Sequence, residues 1–265
     1  MRAVVPGLIK DEELFLPLEP GFKAYPQGSF EFVLGAATKL DKDTKTVAVT
    51  TAPHTTRAVA YDYLVVATGA RAEAGVPWKA SGSYEECLAT LHETTEAVGA
   101  AKSVVVAGAG ATGVELAAEI KDAFGDAKEV VLLSAGAEIV GGDLSAPTVE
   151  KELLRLKVVV KKGVQASGFE KQEDGRTQVL LSNGETLVTD LYLPATGLMA
   201  NTEFLPLDCL NERKYVEVDA ENRVRGLADT WALGDVVSKP RGNFVITDIH
   251  VRPSISHCHW RRAVH

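Results

Sequence analysis

Three features of the 265-residue sequence predict an α/β protein made of two interleaved, three-layer domains. Apolar strand patterns alternate with helical ones, as parallel sheets with crossover helices require. A glycine-rich turn stands between one such strand and one such helix. The stretch "YDYLVVATG" (61–69) is echoed by "TDLYLPATG" (189–197), with the same spacing from Asp to Ala-Thr-Gly. Two copies of one supersecondary unit explain that echo more economically than chance.

The elements follow in chain order. Residues 30–66 read as β structure: "FEFVLGAATKL" and "KTVAV" flank the turn Asp41-Lys42-Asp43-Thr44, and "RAVAYDYLVVATG" follows. The run from Leu64 to Ala67 is apolar without alternation, as in a strand buried on both faces. "GVPWKASGS" is a linker, and a helix over 84–101 carries Cys87, Leu88, Leu91 and Val98 at helical spacing, ending at Gly99. Strand 103–107, the glycine turn, a helix over 111–124 closed by Gly125 and strand 129–134 form a βαβ unit. A helix over 146–156 and strand 158–160 come next. A strand pair joined at "EDG", a hairpin turned by Asn183-Gly184, and the strands "LYLPATG" and "DTWALGDVV" complete the chain.

Composition narrows the function. A net charge of −8 argues against nucleic acid as a partner, because phosphate binding wants clustered Lys and Arg. No apolar run approaches the roughly 20 residues that span a bilayer, and the start shows no basic segment leading into an apolar one. Peripheral membrane contact stays open. Cys87, Cys209 and Cys258 lie far apart, which fits a reducing, cytoplasmic setting and removes a dithiol relay from the candidates.

Gly108, Gly110 and Gly113 give G-x-G-x-x-G between strand and helix, the Rossmann-like dinucleotide signature. The first glycine makes the turn, the second lets a pyrophosphate approach the backbone, and the third lets helix and strand pack closely. The helix N-terminus offers free N–H groups to the phosphates. The ribose-reading position at the end of the next strand falls on Ser134. Asp or Glu there would favour NAD and a nearby Arg NADP; Ser with "AGAEI" leans slightly to NADPH and leaves the choice open. Glu115 and Glu119 share a helix face, and Glu115 reads equally as a complement to the helix dipole. Gly234-Asp235 ends the last apolar strand.

The segments "YDYLVVATGAR", "VVVAGAGATGVELAAEI", "LYLPATGLMAN" and "WALGDVVSKP" together resemble the pyridine nucleotide-disulfide oxidoreductase superfamily. Within it the chain is most similar to the apoptosis-inducing-factor-like (AMID-type, ferroptosis-suppressor-like) NAD(P)H oxidoreductases, which lack the redox disulfide. The resemblance implies an FAD-binding domain at 1–71, an NAD(P)-binding domain at 72–198 and a return to the FAD domain at 199–265. It implies hydride transfer from NAD(P)H to FAD and electron delivery to a small acceptor such as a quinone, in general or pathway-specific tailoring metabolism. By position, Glu115 matches a glutamate beside the nicotinamide and flavin rings, and Asp235, after Gly234, one near the ribityl chain. Arg2 matches an arginine by the flavin pyrophosphate, Ala37 a backbone contact on the adenine side, and Thr68, Gly69 and Gly197 the strand ends facing the cofactors.

Two departures follow. The copies lie 128 residues apart (Gly69 to Gly197), so a counterpart of Gly108 falls about 20 residues before Met1, and the FAD domain is expected to be incomplete at its N-terminus. The alternative expectation is therefore a non-catalytic NAD(P)-binding module. The tail with His257-Cys258-His259 does not match the family's closing segment; a divergent or misread terminus explains it better than a metal site, so no metal is expected.

Overall fold

The computed structural model describes residues 1–51, 55–72, 75–79 and 82–238. Fourteen strands and four α-helices are seen: β1 Ala36–Asp41, β2 Thr46–Thr51, β3 Thr55–Ala60, β4 Leu64–Val66, β5 Ala70–Ala72, α1 Asp11–Leu14, α2 Tyr84–Ala100, β6 Ser103–Ala107, α3 Ala111–Phe124, β7 Glu129–Ser134, α4 Ala146–Arg155, β8 Val159–Lys162, β9 Ala166–Lys171, β10 Thr177–Leu181, β11 Thr186–Thr189, β12 Leu191–Pro194, β13 Leu198–Ala200 and β14 Thr230–Ala232. They fall into two compact units. One joins Met1–Pro17 to Ala72–Gly197, and the other joins Leu18–Arg71 to the chain from Leu198 onward.

The first unit is a Rossmann-type three-layer fold. Its parallel sheet runs β12-β6-β7-β8. Alternate residues of β6 face opposite ways: Val104 and Val106 pack with Leu116, Ile120, Val98 and Leu153 on the helix side. Val105 and Ala107 pack with Leu133, Val179 and Leu181 under the antiparallel meander β9–β11. Burial on both faces explains why these strands read as unbroken apolar runs. The meander's hairpin turns at Asn183-Gly184, with Gly184 at φ +85°.

Local chemistry sets the helix ends. Ser83 and Glu86 form a capping box on α2: Glu86 N–H donates to Ser83 Oγ (3.2 Å) and Ser83 N–H to Glu86 Oε2 (2.7 Å). The helix passes Gly99 and stops one residue later, because the buried Lys128 ammonium donates to the Gly99 carbonyl (2.9 Å) and to that of Ala101. Lys121 likewise donates to the carbonyls of Gly125 and Lys128 beyond α3. A cation on terminal carbonyls does the work of a glycine cap.

Two boundaries differ from the sequence reading. The sequence places Met1–Pro17 with 18–71, yet they pack with the glycine-turn unit. Val4 and Val5 enter its core, and His92 meets Asp11 at 2.9 Å. Buried area there outweighs chain proximity. The stretch 30–35, expected as strand, is not one: β1 starts at Ala36. Phe32 and Leu34 are exposed, and Phe30 stacks on Phe22 (centroids 3.7 Å apart) instead of on a neighbouring strand.

The second unit holds the meander β1–β3, the parallel pair β4 and β14, and the pair β5 and β13. Its core gathers Leu40, Val66, Leu205, Cys209, Val216, Val224, Ala232 and Val236.

Candidate dinucleotide site

The glycine turn closes tightly on its own strands. Gly108 N–H donates to the Leu133 carbonyl (3.0 Å), Val140 N–H to the Ala109 carbonyl (2.7 Å), and Ala195 N–H to the Ala107 carbonyl (2.8 Å). Gly108 sits at φ +111°, where L side chains are strained, and a Cβ there would stand 2.5 Å from Thr196 Cγ2. A Cβ on Gly113 would stand 1.8 Å from the Gly108 carbonyl oxygen, so only glycine lets α3 approach the turn this closely. Gly110 is the N-cap of α3, and no side chain caps the first amides. A 14-residue helix thus presents uncapped N–H groups and its positive dipole end beside a glycine turn. These residues fit a pyrophosphate.

Around this turn the structure places the other sequence-derived candidates. Glu115 is exposed on α3, whose first turn carries no acid. Beyond that turn a dipole complement is worth little. Glu119, one turn later, is taken up by Arg2 (Nε–Oε2 3.2 Å), so Arg2 lies against the glycine-turn helix. Ser134 ends β7 only 3% exposed. Its hydroxyl reaches the carbonyls of Gly136 (3.1 Å) and Glu138 (3.0 Å). Gly197, at φ +73°, follows Thr196 at the end of β12.

In the second unit, Gly69 and Gly234 adopt φ +66° and φ +78° just beyond β4 and β14. The parallel pairing Leu64↔Thr230, Val66↔Ala232 sets these strand ends side by side. Asp235 is half-buried in the short turn Gly234–Val236. Ala37 is half-buried on β1 beside a register shift against β2. Sequence reasoning missed Asn201: its amide donates to the Thr68 carbonyl (2.8 Å), and it accepts from Arg71 through Oδ1 (2.7 Å) and from Thr68 Oγ1 through its carbonyl (2.7 Å). The available signal was Arg71 and Asn201 each following an Ala-Thr-Gly. An open cavity of about 460 Å³ lined by Tyr63, Arg223, Asp229 and Trp231 lies at the start of β14, not at the Gly234-Asp235 end. Dinucleotides bind at the carboxyl ends of such strands, so that cavity is at the wrong end to hold one.

Cys209 is buried, its thiol donates to the Pro206 carbonyl (2.9 Å), and burial pushes its pKa up to about 11. It is a poor nucleophile. His257-Cys258-His259 lie outside the described residues. No described helix is long and apolar enough to cross a membrane.

Comparison with known proteins meets this geometry. Oxidoreductase ptaL of Pestalotiopsis fici is 39% identical over 237 residues, covering 89% of this chain and 63% of the relative. Oxidoreductase phnG of Penicillium herquei is 29% identical, covering 88% and 61%. The chain therefore spans about three fifths of these curated relatives. A NAD-dependent persulfide reductase structure from A. fulgidus, 26% identical, superposes with a TM-score of 0.64 over 83% of this chain and 43% of its own. Residues 5–259 match the pyridine nucleotide-disulphide oxidoreductase family. The chain belongs to that family, whose members are flavoprotein oxidoreductases using FAD and NAD(P)H.

Proposed function

We propose that this chain carries the nicotinamide-nucleotide site and part of the flavin site of a disulfide-independent, apoptosis-inducing-factor-like oxidoreductase. The reading assigns 72–198 to NAD(P) and the flanking segments to FAD. The observation that supports it most is the Gly108–Gly113 turn against the uncapped start of α3. The flavin supplies, when bound, the two-electron chemistry between NAD(P)H and a small oxidised acceptor, here read as a quinone or a tailoring substrate.

The protein's own contributions are binding and orientation. Amides at the start of α3 hold the nucleotide pyrophosphate, and Glu115, exposed one turn on, orients the nicotinamide ring. In the second unit Asp235 accepts from ribityl hydroxyls, with Thr68, Gly69 and Gly234 keeping its strand ends clear for cofactor; in the first unit Gly197 does the same beside the glycine turn. Ala37 stands for the adenine-side contact and Arg2, in the first unit, for the pyrophosphate contact that the family resemblance implies. The buried thiol of Cys209 argues against dithiol relay chemistry. The setting read from cysteine usage is cytoplasmic, with peripheral membrane contact compatible with a quinone acceptor.

A second reading has its own support: among the described residues β4 pairs with β14 alone, which favours a nucleotide-binding module without turnover. Visible spectroscopy separates the two. Purified protein supplemented with FAD is expected to retain yellow flavin that bleaches on anaerobic NAD(P)H addition and recovers with a quinone. Nucleotide binding without flavin retention supports the module instead. In a flavin-retaining preparation, Asp235→Ala is expected to weaken retention roughly tenfold, since a hydrogen bond to a charged group is worth about 1.5–3 kcal/mol.

A further inference from the structure

Resting on the dinucleotide reading above, we infer that the adenosine-ribose end of the site takes NAD(H) and NADP(H) with little discrimination, because Ser134 pins its own loop instead of reading the sugar. Discrimination at the end of this strand comes from one of two devices. A carboxylate accepts from the ribose 2′-hydroxyl and repels a 2′-phosphate, or a guanidinium captures that phosphate. Neither stands here.

Ser134 is buried, and its hydroxyl is shared between the Gly136 and Glu138 carbonyls. Its own carbonyl accepts from Val164 N–H (3.0 Å), and Gly163 N–H donates to Gly136 (3.0 Å), so the loop closes on itself and on the end of β8. The exposed run Ala135-Gly136-Ala137 carries no charge. The charged groups around it are committed to one another. Lys162, in register with Ser134, lies 2.8 Å from Glu150 and 3.4 Å from Glu138, and Asp143, the other acid between β7 and α4, accepts from the Ser145 hydroxyl (2.6 Å). Lys161 is held by Glu185 at 3.0 Å. Among the described residues of this loop and of β8, a 2′-phosphate meets no cation without a carboxylate partner, and a ribose diol meets no carboxylate without a partner.

Calorimetric titration with NAD⁺ and NADP⁺, which do not turn over, tests this directly. The two dissociation constants are expected to agree within about tenfold, the size of one charged hydrogen bond. A larger preference either way overturns the inference while leaving the dinucleotide reading intact; binding of neither overturns both. Ala135→Arg, at an exposed position, is expected to tighten NADP⁺ by about tenfold with NAD⁺ unchanged. No change there places the loop away from the ribose and overturns the proposal. Ser134→Ala is expected to lower Tm and weaken both nucleotides equally. A selective loss of NAD⁺ shows that the hydroxyl reads the sugar, and overturns it too.

Discussion

Asp62–Gly69 and Asp190–Gly197 share one sequence pattern and differ in what surrounds them. Asp190 accepts from the backbone N–H groups of Lys102 and Ser103, both at 2.8 Å, and so fastens β12 to the start of β6. β12 then runs parallel to β6, and Thr196, two residues beyond it, closes on the glycine turn. In the other copy, among the described residues, none donates to Asp62 and β4 pairs with β14 alone. The matching middle residues show the consequence: Leu193 is 4% exposed and Val65 is 52% exposed. An apolar strand pattern records the burial a segment is built for. The neighbours present decide the burial it gets.

That contrast can be broken by substitution. Gly113→Ala should do most damage, since a Cβ 1.8 Å from a backbone oxygen has no side chain to push aside. A loss of about 3 kcal/mol or more, with nucleotide binding abolished, is expected by urea unfolding and calorimetry. Leu193→Ala should cost about 2–5 kcal/mol, whereas Val65→Ala should stay within about 0.5 kcal/mol. Equal costs would mean that β4 is covered as fully as β12.

Asp190→Ala should cost about 1 kcal/mol, an exposed group's share of two hydrogen bonds, while Asp62→Ala should be silent. The N–H groups of Ser103 and Lys102 hold the Asp190 carboxyl below the ordinary carboxylate range. Its contribution is therefore complete above the unfolded value of about 4 and is lost as pH falls through the lower folded value. Acid unfolding of the Asp190→Asn variant should lack that component. Smallest in stability is Glu115→Ala on the exposed face of α3, expected to leave Tm unchanged. In flavin-loaded protein it should slow single-turnover reduction by NAD(P)H, and an unchanged rate would reduce Glu115 to a surface residue.

Much of the glycine-turn unit was legible because its signals are local. The G-x-G-x-x-G turn and the Asn183-Gly184 hairpin each rest on a few adjacent residues with one physical solution. What escaped depends on partners far along the chain. Phe30–Leu34 alternate like a strand, but alternation forms one only when a neighbour supplies hydrogen bonds. Lys121 and Lys128 are buried because helix-end carbonyls satisfy their ammonium groups, partners that no local pattern announces. The clamp of Asn201 on Thr68 and Arg71 joins residues 130 or more positions apart. Ser134 was found by spacing, but its hydrogen bonds to Gly136 and Glu138 belong to the folded loop alone.

We propose that the glycine turn at 108–113, rather than the strand ends at 66–69 and 233–237, is the nicotinamide-nucleotide site. Amide hydrogen exchange with and without saturating NAD⁺ reads this residue by residue. Protection is expected at 108–114, where uncapped amides begin α3, and in the loop after Ser134, with 66–69 and 233–237 unchanged. Protection confined to 66–69 and 233–237, or none anywhere, would contradict it.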